Sequence, residues 1–328
     1  MKKILAATLV ASAFFTTGAM ANEPLIIKFS HVVSPDTPKG KGADRFKELA
    51  EKYTEGKVVV EVYPNSQLYK DKEELEALQL GAVHMLAPSL AKFGPLGVRE
   101  FEVFDLPYIF QDKDQLRKVT NGEVGKQLLA KLEPKGIKGL AYWDNGFKVM
   151  SANSPLHTVD DFLGLKMRIQ SSKVLEAQMQ ALDAVPQVMA FSEVYQALQT
   201  GVVDGTENPP SNMYTQKMHE VQKHATISNH GYLGYAVIVN KKFWEGLDDD
   251  IRVPLEKALD EATEYANDIS EQENADSMKA MVESGRTTFH ELTPEQRQEW
   301  VDALRPVHKS MESRIGAETI EAVYKAVQ

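Results

Sequence analysis

Arg168 lies in the stretch Gly164-Leu165-Lys166-Met167-Arg168-Ile169-Gln170, where apolar and polar residues alternate. A period of two belongs to a β-strand. Leu165, Met167 and Ile169 are expected to face a core, and Lys166, Arg168 and Gln170 the opposite side. If that side lines a cleft, the guanidinium of Arg168 presents a planar fork of N–H donors shaped for a carboxylate. The plainer alternative is a solvated arginine on an edge strand. Other polar residues fall at the ends of expected strands, where open α/β sheets bind ligands. They are His31, Ser89, Lys148 in Gly146-Phe147-Lys148, and Asn208 in the loop from Gly205 to Pro210. Each also has a bland use: Ser89 as a helix cap, Asn208 as a turn former, Lys148 as a surface lysine.

Enzyme signatures are absent from the sequence. There is no G-x-S-x-G, H-E-x-x-H, Walker A or G-x-G-x-x-G motif. The chain has no cysteine, which excludes disulfides, thiol catalysis and cysteine metal sites. His219, His224 and His230 have neither helical ligand spacing nor a zinc pattern, and are expected at the surface or core edge. The acid runs Glu73-Glu74 and Asp248 to Asp250 suit solvated helix faces and caps. No metal and no cofactor are expected.

The elements that must position these groups read as an α/β fold. Strands are expected at Leu25–Ser30, Val58–Tyr63, Val83–Ala87, Lys138–Trp143, Phe147–Ala152, Leu165–Gln170, Val185–Met189, Val202–Asp204 and Tyr232–Asn240. Helices are expected at Lys41–Thr54, Lys72–Leu80, Asp114–Leu132, Ser172–Leu182, Ser192–Thr200 with Ser192 as its cap, and Ala317–Val327. Phe101–Phe110 reads as a buried loop. From Asp248 a helical pattern runs to about Ser284, about 50 Å at ~1.5 Å per residue. Its apolar residues are too sparse for a coiled coil, so it reads as a helix lying across two domains. Thr293-Pro294-Glu295-Gln296 then opens another helix with cap, proline and acid in favourable places.

Residues 1–21 read as a cleaved export leader: a basic start at Lys2 and Lys3, an apolar run from Ile4 to Phe15, and an Ala19-Met20-Ala21 cleavage site. The apolar run is shorter than the ~20 residues of a membrane span. The remaining 307 residues suffice for two domains. The chain carries a net charge of −10, and loss of the two leader lysines takes it to −12. That balance argues against nucleic acid and anionic lipid surfaces. It leaves room for a small anion, since a few convergent cations in a desolvated pocket outweigh a distant field.

Several long blocks resemble one family. They are Phe29–Thr54 (FSHVVSPDTPKGKGADRFKELAEKYT), Ala87–Phe93 (APSLAKF), FEVFDLPYIF, GLKMRIQ, Phe191–Pro210 (FSEVYQALQTGVVDGTENPP) and Tyr232–Leu247 (YLGYAVIVNKKFWEGL). Over essentially its whole length the chain resembles the solute-binding subunits of tripartite ATP-independent periplasmic (TRAP) transporters, and most of all their four-carbon dicarboxylate-binding branch. The resemblance implies a two-lobed periplasmic binding protein of type II-like α/β architecture, with discontinuous lobes and the long helix spanning both. Residues 22–145 plus 234–272 would form lobe I, and 146–233 plus 273–328 lobe II. It implies that Arg168 anchors the ligand carboxylate, Asn208 supports it and Phe191 packs against the ligand. Lys148 stands where many relatives place a second arginine, and it keeps the charge without the fork. His31, Lys39 and Ser89 fall in loops that face the cleft in relatives. The implied protein is a periplasmic monomer, not an enzyme, that binds succinate, malate or fumarate and delivers it to membrane permease subunits. The residues also admit another organic acid as ligand, a sensing role beside a membrane receptor, or an enzyme of carboxylic acids with His31 as the one evident proton-transfer group.

Overall fold

The computed structural model describes residues 23–328, and the leader expected at 1–21 lies outside them. Eleven strands are formed among the described residues: β1 (Leu25–Ser30), β2 (Val58–Tyr63), β3 (Met85–Leu86), β4 (Ile137–Phe147), β5 (Val149–Ala152), β6 (Lys166–Ile169), β7 (Val185–Val188), β8 (Gly205–Asn208), β9 (His224–Ile227), β10 (Tyr232–Asn240) and β11 (Thr288–Glu291). They make two sheets, of order β2-β1-β3-β10-β4 and β11-β9-β5-β8-β6-β7. β1 runs parallel to β2 and β3, and β10 antiparallel to β3 and β4. In the second sheet β6 is parallel to β7 and β8, while β5 is antiparallel to β8 and β9. Each sheet with its helices is one lobe.

The chain crosses between lobes at Lys148, directly between β4 and β5, and returns between β9 and β10. The expected single strand Phe147–Ala152 is therefore divided at Lys148. Its N–H donates to Gly231 O at 2.9 Å, so the two crossings lie side by side. A third connection is the helix Asp249–Ser284, begun by Asp248 at its cap and ended by Gly285 in the left-handed region. Leu255, Ala258, Leu259, Ala262 and Ala266 pack into the core with Phe29, Phe46 and Trp143 of the first lobe. Further along the same helix, Met281 joins the core with Val149, Phe191 and Met213 of the second. A helix this long, with an apolar stripe against each lobe, bridges both.

The C-terminus divides differently from the sequence-based boundaries. The helix Pro294–Leu304, held by a Thr293/Gln296 capping box, buries Trp300 and Leu304 against Phe162, Met167 and Ile169 of lobe II. The last two helices, Pro306–Ile315 and Ala317–Val327, instead place Val307, Ile315, Ile320 and Val323 against Phe101, Phe104, Leu116 and Leu128 of lobe I. Apolar Phe101–Phe110, much of it a buried 3-10 turn, supplies the surface that these stripes cover.

Three local expectations are corrected. The helix expected over Asp114–Leu132 is two, Lys113–Thr120 and Glu123–Ala130, because Gly122 between them takes an extended conformation. Ser192 is inside a 3-10 turn, and the helix after it starts at Val194 without a side-chain cap. The strand expected at Val202–Asp204 lies instead at Gly205–Asn208. Gly205 is glycine because a Cβ there would lie 2.3 Å from Ser151 O on the neighbouring strand.

Candidate functional site

Arg168 is the third residue of β6, paired with Gln187 of β7 and Thr206 of β8. The alternation holds: Met167 and Ile169 are in the core, and Arg168 points to the other face. That face is covered by lobe I, so Arg168 is only 2% exposed. Its Nε and Nη2 donate to Met189 O at 3.1 and 2.8 Å, and its guanidinium lies 5.8 Å from the Phe191 ring centre. Among the described residues no Asp or Glu oxygen comes within 4.0 Å of it. Burial disfavours its charge, and Asp71 and Glu207 offset this from further away.

Lys39 faces the cleft from lobe I, one residue into the helix Pro38–Tyr53. It is 1% exposed, donates to Ala87 O at 2.9 Å, and stands 3.8 Å over the Tyr235 ring. It too has no carboxylate oxygen within 4.0 Å among the described residues. Burial pulls its ammonium down to about 7; Glu74 and Asp71 oppose that shift, and Lys92 adds to it.

A narrow cavity of about 10 Å³ lies at this junction, and Lys39, Ser89, Phe191, Asn208 and Tyr235 line it. Asp71, Lys92 and Gln170 form a wall shared with an outer cavity of about 250 Å³, which Arg168 lines. Ser89 Oγ accepts from Gln170 Nε2 at 2.8 Å, tying lobe I to lobe II. Asn208 ends β8, and its amide nitrogen reaches only Thr206 Oγ1 at 3.4 Å and Met218 Sδ at 3.8 Å. Both contacts are long, so most of its hydrogen-bonding capacity is unspent.

Lys148 and His31 line neither cavity. The Lys148 ammonium is directed into the second sheet and meets Glu207 Oε1 at 2.6 Å, with both side chains 2% exposed. Glu207 Oε2 also accepts from Gln178 at 3.0 Å and lies 2.8 Å from His230 Nε2. Burial opposes the Glu207 charge, but Lys148 and His230 outweigh it and hold this carboxyl well below its usual range. Thus Lys148 is already matched by a protein carboxylate at the inter-lobe crossing. His31 is 1% exposed, neither ring nitrogen has a partner, and burial followed by the nearby Lys39 lowers it to about 3. It is a neutral ring at physiological pH and offers no charge to a carboxylate.

Two further expectations change. Glu74 is not on a solvated face: it is buried and paired with Lys92, which also contacts Asp71. His230 is fully buried beside Ser228 and Glu207 rather than at a core edge. Asp71, Lys92 and Tyr235 had no local signal, because their roles come from partners far along the chain. Gln170 was at least placed on the correct face. No group of residues suited to a metal ion is found among the described residues.

The chain matches the model of bacterial extracellular solute-binding protein family 7 over residues 29–314. It belongs to that family. Among curated members of family 7, it is 72% identical to the C4-dicarboxylate-binding periplasmic protein DctP of Rhodobacter capsulatus, over 99% of this chain and 98% of that protein. A crystal structure of a TRAP periplasmic solute-binding protein from Shewanella oneidensis with bound succinate superposes with a TM-score of 0.91. It is 44% identical and covers 93% of this chain and 100% of that one. A counterpart from Pseudomonas aeruginosa with bound L-malate gives a TM-score of 0.85 at 44% identity, covering 88% of this chain and 100% of that one. The two-lobed α/β fold expected from the sequence is the fold of these family 7 proteins.

Proposed function

We propose that this family 7 protein is the solute-binding subunit of a TRAP transporter, and that it captures a small dicarboxylate such as succinate, malate or fumarate between its lobes. The observation that carries the reading is the pair Arg168 and Lys39. They are two buried cations, one from each lobe, with no carboxylate within 4.0 Å among the described residues. Burying an unpaired charge costs several kcal/mol, and a dianion spanning the cleft would relieve both. Arg168, oriented by Met189 O, takes one carboxylate; Asn208 adds its amide, and Phe191 walls the carbon chain. Lys39 takes the second carboxylate in preference to Lys148, which Glu207 engages. Ser89 supplies a hydroxyl.

Capture without turnover is supported by the family, whose model describes a solute-binding protein. The leader at residues 1–21 directs export, and the curated relative named above as periplasmic supports that address. The protein acts as a monomer that passes its ligand to membrane permease subunits. Calorimetry on residues 22–328 tests the assignment. Succinate, L-malate and fumarate should give saturable heats and raise the melting temperature, and acetate and butyrate should do neither. Absence of binding by all three dicarboxylates would overturn it.

A further inference from the structure

We propose that Asp71 is the latch of the cleft: a lobe I carboxylate that grips the Phe191 N–H of lobe II once the lobes meet, and so sets how long a bound acid stays. This rests on the ligand-capturing reading above. Asp71 Oδ2 accepts from Phe191 N at 2.5 Å. Its other oxygen meets the Lys92 ammonium, which also contacts Glu74. Lys92 thus keeps the acceptor charged and aimed, and a charged acceptor makes a hydrogen bond about twice as strong as a neutral one.

The gripped segment is the one that serves the ligand. Arg168 holds Met189 O from within lobe II, and the Phe191 ring faces both Arg168 and the inner cavity. Asp71 holds the same short segment from the opposite lobe. Three other side-chain contacts cross the cleft here, of which Asn212 Nδ2 to Tyr235 Oη is long, at 3.5 Å, and between neutral groups. Lys70 meets Glu193 at 3.0 Å, but both side chains are about half exposed, and such pairs contribute little. Gln170 to Ser89 is a bond between neutral groups. Beside the inner cavity the charge-assisted tie is therefore the half-buried one from Asp71; Lys173 N to Glu102 Oε1, elsewhere between the lobes, is longer at 3.3 Å. The Asp71 tie forms only when the lobes are in contact, so it stabilises the closed state alone and acts on release rather than encounter.

Stopped-flow kinetics with succinate, together with amide hydrogen exchange, tests the latch. Asp71→Asn should speed succinate release at least tenfold while the association rate stays within threefold, and Asp71→Glu should recover part of the loss. Lys70→Ala should leave release within twofold. In the wild type, the Phe191 amide should exchange slowly with succinate bound and rapidly without it, a measurement that needs no variant to fold. Unchanged release in Asp71→Asn, a loss confined to association, or equal exchange at Phe191 with and without succinate would each overturn the latch alone. A wild type that binds no succinate, L-malate or fumarate would overturn the ligand reading and the latch with it.

Discussion

Lys39 should make capture of a dicarboxylate depend on pH between about 7 and 9. Its ammonium is buried, with a carbonyl oxygen and the Tyr235 ring as its near partners, and burial brings it down to about 7. A carboxylate beside it favours the charged form and raises it again in the complex. Below pH 7 the lysine is already protonated and affinity should be level. Above that, binding must first supply a proton. At pH 9, two units higher, this costs about 2.7 kcal/mol, close to a hundredfold in Kd. Calorimetry with succinate from pH 6 to 9, in buffers of different ionisation heat, should show uptake approaching one proton at the alkaline end. Lys39→Met should bind weakly at pH 6 and lose both the pH dependence and the proton uptake. Asp105, pushed up to about 7 by burial, titrates in the same range, but it lines neither cavity and the Lys39 variant separates the two. Without ligand the sign reverses: the unfolded lysine holds its proton up to about 10.5, so the folded protein gains stability as pH rises from about 7 toward that value. A flat Kd over pH 6–9 with no proton uptake would refute the role given to Lys39.

Arg168→Lys should weaken succinate binding about ten- to a hundredfold, because one ammonium cannot hold Met189 O and also offer two parallel bonds worth about 1.5–3 kcal/mol each; near wild-type affinity would contradict the anchoring role. Lys148→Met should lower unfolding stability in urea by about 3–5 kcal/mol by leaving Glu207 buried without its partner. Adding Glu207→Gln should restore part of that, and wild-type stability in the single variant would refute the pairing. Gly146→Ala at the inter-lobe crossing would put its Cβ 2.7 Å from Asn274 Nδ2, so it should cost about 1–3 kcal/mol. Asn274 itself bonds Asn145 O and Ser211 N. The two substitutions Gly146→Ala and Asn274→Ala should therefore be strongly non-additive, and simple additivity would refute the steric account.

Much of the scaffold was legible because its signals are local. β1, β2 and β10 lie where alternation and β-branched runs place them. The long helix begins after Asp248 and stops at Gly285, within a residue of the expected span. Short elements punctuated by Gly or Pro were harder. β8 is hidden between Gly205 and Pro209, and its need for glycine comes from a neighbouring strand rather than from its own residues. β11 and β9 pair across more than sixty residues with little apolar content to mark them.

By itself the sequence determined the periodicities, the absence of cysteine, and the face on which Arg168 stands. The tertiary structure decided which charges find partners. Lys39 and Lys148 are both lysines beside cleft-forming turns, and nothing near either in the chain distinguishes them. One lies across from Glu207, fifty-nine residues on, and is matched. The other meets a carbonyl forty-eight residues away and a tyrosine ring, and has no carboxylate within 4.0 Å among the described residues. Glu74 looked solvated until Lys92 was folded against it. Periodicity acts between residues a turn or a pleat apart, whereas the free energy of a buried charge depends on whatever the whole chain brings within a few ångströms of it.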